Sequence, residues 1–194
     1  MKREELIVVR GGGDLATGTI HRLWSAGLKV LVLEAEHPAA IRRQVSVSEA
    51  VYEGGAVVEG MRAALVKTLD EAVVVWHRGD VPVMVDPKGE LIPQVQSAAL
   101  VDAILAKKNL GTKITDAPFV IGVGPGFTAG EDCNCVVETK RGHTLGNVIW
   151  DGSAIPNTGV PGNVGGYSIE RLIKASADGV IEPKAVIGDL VRKG

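Results

Sequence analysis

Apolar residues in this chain come in short runs that end in glycine. ELIVVR, residues 5–10, is unbroken from Leu6 to Val9 and opens into Gly11, Gly12 and Gly13. A run without polar alternation fits a strand covered on both faces. DLATGTIHRLWSAG (14–27) then spaces Leu15, Ile20, Leu23 and Trp24 near the helical repeat and stops at Gly27. LKVLVLEAE (28–36) supplies a second apolar run, Val30 to Leu33. Strand, glycine turn, helix and strand make a βαβ unit.

Farther along, GAVVEG (55–60) and VPVMVDP (81–87) read as short strands. Between them, Thr68 followed by Glu71 predicts a capped helix over AVVVWHRG (72–79). SAALVDAILAKKN (97–109) places Leu100, Ile104 and Leu105 on one face of an amphipathic helix. PFVIGVGPGFTAGED (118–132) repeats the opening theme of apolar strand and glycine-rich loop. The pattern predicts an α/β fold: an open, mostly parallel, Rossmann-like sheet with helices on both faces. This domain is expected over 1–150. A Gly/Pro-rich linker follows over 151–166, and 167–194 reads as a small all-β piece with turns at Asp178-Gly179 and Gly188-Asp189.

Composition narrows the function classes. The 194 residues are 45% hydrophobic, enough to bury a core, and the formal net charge is −2. Lys and Arg are scattered, so nucleic acid is not expected as a partner. The apolar run before Arg10 is too short for a signal peptide or a membrane span, and the chain reads as cytoplasmic. Two cysteines, Cys133 and Cys135, do not form a disulfide framework.

The glycine loop is the first candidate site. Gly11, Gly13 and Ala16 satisfy the dinucleotide fingerprint, in which the first glycine turns the chain, the second admits a pyrophosphate and the third position keeps helix and strand close. Helix N-terminal N–H groups would hold the phosphate. Glu34, about twenty residues on, stands where the pattern wants an acid for a ribose diol, which favours NAD over NADP. The competing reading is a close-packed structural turn, and no hydride-transfer constellation accompanies the loop. Gly122, Gly124, Gly126 and Gly130 form a second loop, followed by Glu138, Lys140, Arg141 and His143. Both loops are expected on one rim, where they could grip an elongated anionic ligand, with Arg141 pairing with phosphate and His143 donating a hydrogen bond or moving a proton. Cys133 and Cys135 are weak metal candidates. Two thiolates do not complete a tetrahedral site, and on a strand they would share one face as small core residues.

VVRGGGDLATGTIHRL (8–23), VETKRGHTLGNVIWDG (137–152) and NTGVPGNVGGYSIERLIKASADGVIE (157–182), with IGDLVRKG at the end, resemble the selenium-dependent molybdenum hydroxylase accessory proteins of the YqeB-type group. These are related to the xanthine dehydrogenase accessory proteins of the XdhC/CoxI class. The resemblance covers nearly the whole chain, and RGHTLG with ASADG in this order is its specific part. It implies a maturation factor that handles a molybdopterin-type cofactor, assists its insertion or its sulfuration or selenation, and docks on an apo-hydroxylase. Matched positions are Gly11, Gly12, Gly13 and Asp14 in the first loop and Glu138, Arg141, Gly142 and His143 in the central segment. His143 is the one catalytic candidate. EDCNCVVET departs from the family pattern, which usually lacks the C-x-C. The last residues look like the first half of a lipoyl- or biotinyl-type β sandwich, so the module reads as truncated. Two alternatives stay open, a small NAD-dependent oxidoreductase and a nucleotide-sensing binding module; homo-oligomerisation is equally open.

Overall fold

The computed structural model describes residues 5–192, and its first elements follow the apolar pattern. β1 (Leu6–Arg10) passes through the glycines into α1 (Asp14–Ser25) and returns as β2 (Lys29–Glu34). β2 pairs parallel with β1, Leu6 opposite Lys29 and Arg10 opposite Leu33. Val8 and Leu31 pack into one core, Val9 and Val32 into the other, so these strands need apolar residues at every position.

After the short helix α2 (Ala50–Glu53), β3 (Gly55–Val58) and β4 (Met61–Leu65) form an antiparallel hairpin that turns at Glu59 and Gly60, both at positive φ. α3 (Leu69–His77) starts as its cap predicts. Thr68 Oγ1 accepts from the Glu71 N–H at 3.2 Å, and Glu71 Oε2 accepts from the Lys67 N–H at 2.7 Å. β5 (Val81–Val85) follows.

The amphipathic helix expected over 97–109 does not form. Ala99–Asp102 is instead β6, buried at all four positions and flanked by β1 and by β7 (Val120–Val123). Three apolar residues ahead of Asp102 suit a central strand as well as a helix face, and parallel partners on both sides decide the matter. Ile104 and Leu105 lie beyond the strand, with Leu105 at φ +60°. The remaining strands are β8 (Thr128–Ala129), β9 (Cys135–Val137), β10 (Val148–Ile149) and β11 (Gly152–Ser153).

Among the described residues the main sheet has nine strands in the order β10-β9-β7-β6-β1-β2-β5-β4-β3, and β8 and β11 form a separate ribbon. Neighbours from β9 to β4 are parallel, while β10 and β3 close the edges antiparallel. From β1 the chain builds one way through β2, lays the β3–β4 hairpin toward that edge and fills the place between β2 and β4 with β5, then crosses to β6 and builds the other way. The carboxyl ends of β1 and β6 therefore flank the topological switch point, where open α/β sheets place their ligands. Ala16, Ile20 and Ala50 from α1 and α2 cover one face; Ala72 and Val75 from α3 cover the other, with Ile92 and Phe127. This is the open, Rossmann-like α/β sheet with helices on both faces that the pattern predicts.

The first compact unit extends to Asn157. Residues past the boundary expected at 150 stay with the sheet domain because Gly152 and Ser153 pair with Ala129 and Thr128 and Ala154 is buried. The second unit begins at Thr158. Among its described residues it contains a Val164–Tyr167 bridge and a single helical turn, Ile169–Arg171. The all-β piece expected over 167–194 forms no strand among the described residues; Lys193 and Gly194 lie outside them. Its apolar runs, such as Val180-Ile181, stay exposed, and two-residue runs without partner strands bury too little to hold a ladder.

Candidate functional site

The three glycines after β1 do three different things. Gly11 has φ +90°, and a Cβ there would lie 2.9 Å from Ile104 Cα, so glycine lets two backbones touch. Gly12 is wedged between neighbours, its Cβ position 3.0 Å from the Ser48 nitrogen. Its N–H donates to Glu34 Oε2 at 2.6 Å, and its carbonyl accepts from Ser48 N–H and Thr17 Oγ1. Gly13 alone faces open space, with no atom within 4 Å of a Cβ placed on it. It is also the N-cap of α1 and offers no side-chain cap to the N–H groups of the first turn. Ala16 is buried against the sheet. A turn, an open approach and a tight helix seat are the three features of a phosphate-binding fingerprint.

Glu34 ends β2 beside this loop. Its Oε1 accepts from the Ala35 N–H at 2.7 Å while Oε2 holds Gly12, so the carboxylate fixes the loop's shape and keeps one acceptor direction per oxygen spare. Asp14, in the first turn of α1, forms an exposed ion pair with Arg42. Thr17 Oγ1 accepts from the Val47 N–H at 3.0 Å and ties the chain after β2 to the same helix.

In the second glycine loop Gly122, Gly124 and Gly126 make room for protein, whereas Gly130 faces open space. A Cβ on Gly124 would lie 2.9 Å from Thr139 Oγ1 and 3.0 Å from Leu105 Cδ2, and one on Gly126 would lie 2.6 Å from Lys108 Cα. Gly11 packs on Ile104, Gly124 on Leu105 and Gly126 on Lys108, so the segment after β6 runs between the two loops. They share the carboxyl rim, as expected, with this segment between them. Leu105 and Lys107 hold positive φ without being glycine.

Glu138, just past β9, is buried. Burial alone raises its pKa, but N–H groups of Ile155, Lys140 and Thr139 outweigh it and hold the carboxyl below its ordinary range. Oε2 accepts from Ile155 at 2.8 Å and Oε1 from Lys140 at 2.7 Å. Glu138 thus ties its loop to the chain after β11. Arg141 and His143 are exposed, and their side chains make no hydrogen bond among the described residues.

The cysteines do not share a face. Cys133 precedes β9 and packs in the α3-side core, whereas Cys135 alternates with Val136, a member of that core, and so points the other way. β9 starts only at Cys135, because Asn134 bonds both backbone groups of Val120. Burial pushes both thiols up, which disfavours thiolates. Among the described residues no group of three His, Cys, Asp or Glu side chains stands close enough to hold a metal ion.

Arg10 and Asp102 are residues that motif reading passed over. Arg10 is 2% exposed and Asp102 1%. Arg10 Nη1 reaches Asp102 Oδ2 at 3.2 Å and Thr112 Oγ1 at 2.6 Å, and Nη2 reaches the Pro87 carbonyl at 3.3 Å. Thr112 Oγ1 in turn donates to Asp102 Oδ2 at 2.6 Å. The signal was a lone charge closing an otherwise apolar strand, LIVVR, matched by the Asp that closes ALVD.

The chain is 49% identical over 190 residues to the Escherichia coli (strain K12) protein described as uncharacterized protein YqeB. The chain is similar to YqeB. The match covers 98% of this chain and 35% of YqeB, so the chain spans about a third of its relative's length. It therefore takes in both compact units. No protein-family model matches the chain, and no solved structure matches it. Among the described residues no helix is long and apolar enough to cross a membrane.

Proposed function

We propose that this chain binds the phosphate end of a molybdopterin-type cofactor at the start of α1 and acts as a cytoplasmic accessory factor in maturing a molybdenum hydroxylase. The observation that carries the binding step is the contrast within one loop: Gly11 and Gly12 are filled in by protein, while Gly13 opens α1 uncapped toward free space. Uncapped N–H groups and the helix dipole favour an anion there. The donor set fits the phosphate end of such a cofactor. When bound, the cofactor would supply the redox chemistry of the hydroxylase, while this chain's residues hold the phosphate and Glu34 keeps the loop in shape. The maturation role rests on the resemblance carried by RGHTLG and ASADG and on the similarity to YqeB.

A second reading, a nucleotide-binding module that uses NAD, is favoured by the spare acceptors of Glu34 beside the loop. One experiment separates the two. Purified protein is incubated anaerobically with an extract containing molybdopterin and nicotinamide cofactors, freed of unbound ligand by gel filtration, and its retained ligand identified by mass spectrometry. Retained pterin that transfers to an apo-hydroxylase supports maturation. Retained NAD without pterin supports the nucleotide reading, and equal retention by Gly13→Asp overturns both.

A further inference from the structure

We propose a second anion site on the opposite face of the sheet, in which Arg10, Lys88 and Lys113 hold a phosphate dianion. Strand alternation puts Arg10 on the same side of β1 as Val8, which belongs to the α3-side core, away from α1. There it lines a cleft of about 260 Å³ together with Lys88, Gly89, Ile92, Gly111 and Lys113.

The guanidinium is built in but not used up. Of its five N–H groups, those on Nη1 go to Asp102 and Thr112 and one on Nη2 goes to Pro87. Nε makes no hydrogen bond among the described residues, and it lies 3.6 Å from the position a Cβ on Gly89 would take, at the cleft wall. The ion pair fixes the plane of the guanidinium, and its remaining edge presents the fork that recognises oxyanions.

Charge and shape choose the ligand class. Arg10, Lys88 and Lys113 line the cleft with one carboxylate, Asp116, whose Oδ2 is already bonded to the Lys113 N–H, and Lys88 also stands 3.9 Å from the exposed Glu90. Asp102 lies behind Arg10 and accepts from Thr112 Oγ1 and the Ile104 N–H as well. The free guanidinium edge can take two oxygens of an oxyanion, and a phosphate offers further oxygens toward Lys88 and Lys113 that a single carboxylate lacks. The volume lies below the roughly 300–1,000 Å³ of sites that enclose a drug-sized ligand, so the cleft suits a phosphate group rather than a whole nucleotide. Ile92 gives its organic part an apolar wall.

The site stands apart from the α1 start, so each can fail alone. Inorganic phosphate is titrated into ¹⁵N-labelled protein while the Arg10 Nε–H and the Gly89 and Gly111 amide signals are followed. The expected result is a saturable shift of these signals with phosphate and none with acetate at the same concentration. Lys88→Gln/Lys113→Gln, both positions being exposed, should weaken phosphate binding roughly tenfold. Gly13→Asp should leave it unchanged. Absence of a phosphate shift in the wild-type protein, equal binding of acetate, or loss in Gly13→Asp with retention in the lysine double variant overturns the assignment.

Discussion

Arg10 and Asp102 are register partners on β1 and β6, and their side chains meet in an almost fully buried ion pair at 3.2 Å. The pair bridges the two strands whose ends define the switch point, so it fixes the rim from which both glycine loops leave. Removing one partner strands the other charge in a low-dielectric interior, which costs about 3–5 kcal/mol. Asp102→Ala should lose that much in urea unfolding. A loss below about 1 kcal/mol would show that Thr112 and the Pro87 carbonyl already satisfy Arg10.

The glycine loop predicts opposite outcomes for neighbouring substitutions. Gly11→Ala forces an L side chain to φ +90° and into the Ile104 backbone, and it should destabilise by more than the roughly 1–2 kcal/mol of the conformation alone. Gly13→Ala meets nothing and keeps φ −63°, so its stability should stay within about 1 kcal/mol of the wild type or rise. Thermal unfolding of the two variants side by side checks this.

Glu138 gives the stability a defined acid dependence. Its folded pKa lies below the unfolded value, about 4.3, so its contribution is complete above that value and is lost as pH falls through the folded one. The stability gap between wild type and Glu138→Gln should therefore be flat from neutrality to about pH 5 and shrink in stronger acid. Urea midpoints across pH 3–7 would read it, and a gap that widened in acid would contradict the hydrogen bonds drawn for this carboxylate.

Cys133 and Cys135 should resist a water-soluble thiol reagent at neutral pH. Both are buried and their thiols are pushed up. Labelling should be slow in the folded protein and complete in denaturant. Rapid labelling of either native thiol would restore it as a candidate ligand.

How much of this was legible in the sequence depended on whether a residue's neighbours are near it in the chain. β1, the glycine turn, α1 and β2 could be read because each carries its own period, and α3 because Thr68 and Glu71 sit within one turn. β6 could not, because Ala99–Asp102 is made a strand by Ile7–Arg10 and Val120–Gly122, which are distant in sequence. The Arg10–Asp102 pair was hidden for the same reason: reading Asp102 into a helix removed its partner. Gly11, Gly12 and Gly13 form one motif in sequence, yet only the three-dimensional packing separates the two that accommodate protein from the one left open. The small β piece expected after Tyr167 rested on local turn signals alone, which do not supply the strand partners a ladder requires.

The central claim is that the N-terminus of α1 is an anion seat. It is tested most directly by following the amide signals of Gly13, Asp14, Leu15 and Ala16 while a pterin phosphate, and separately NAD, is titrated into ¹⁵N-labelled wild-type protein and into Gly13→Asp. The account predicts saturable shifts centred on these four amides in the wild type, weakened at least tenfold in a folded Gly13→Asp. Unmoved amides with both ligands, or equal binding by the aspartate variant, would contradict it.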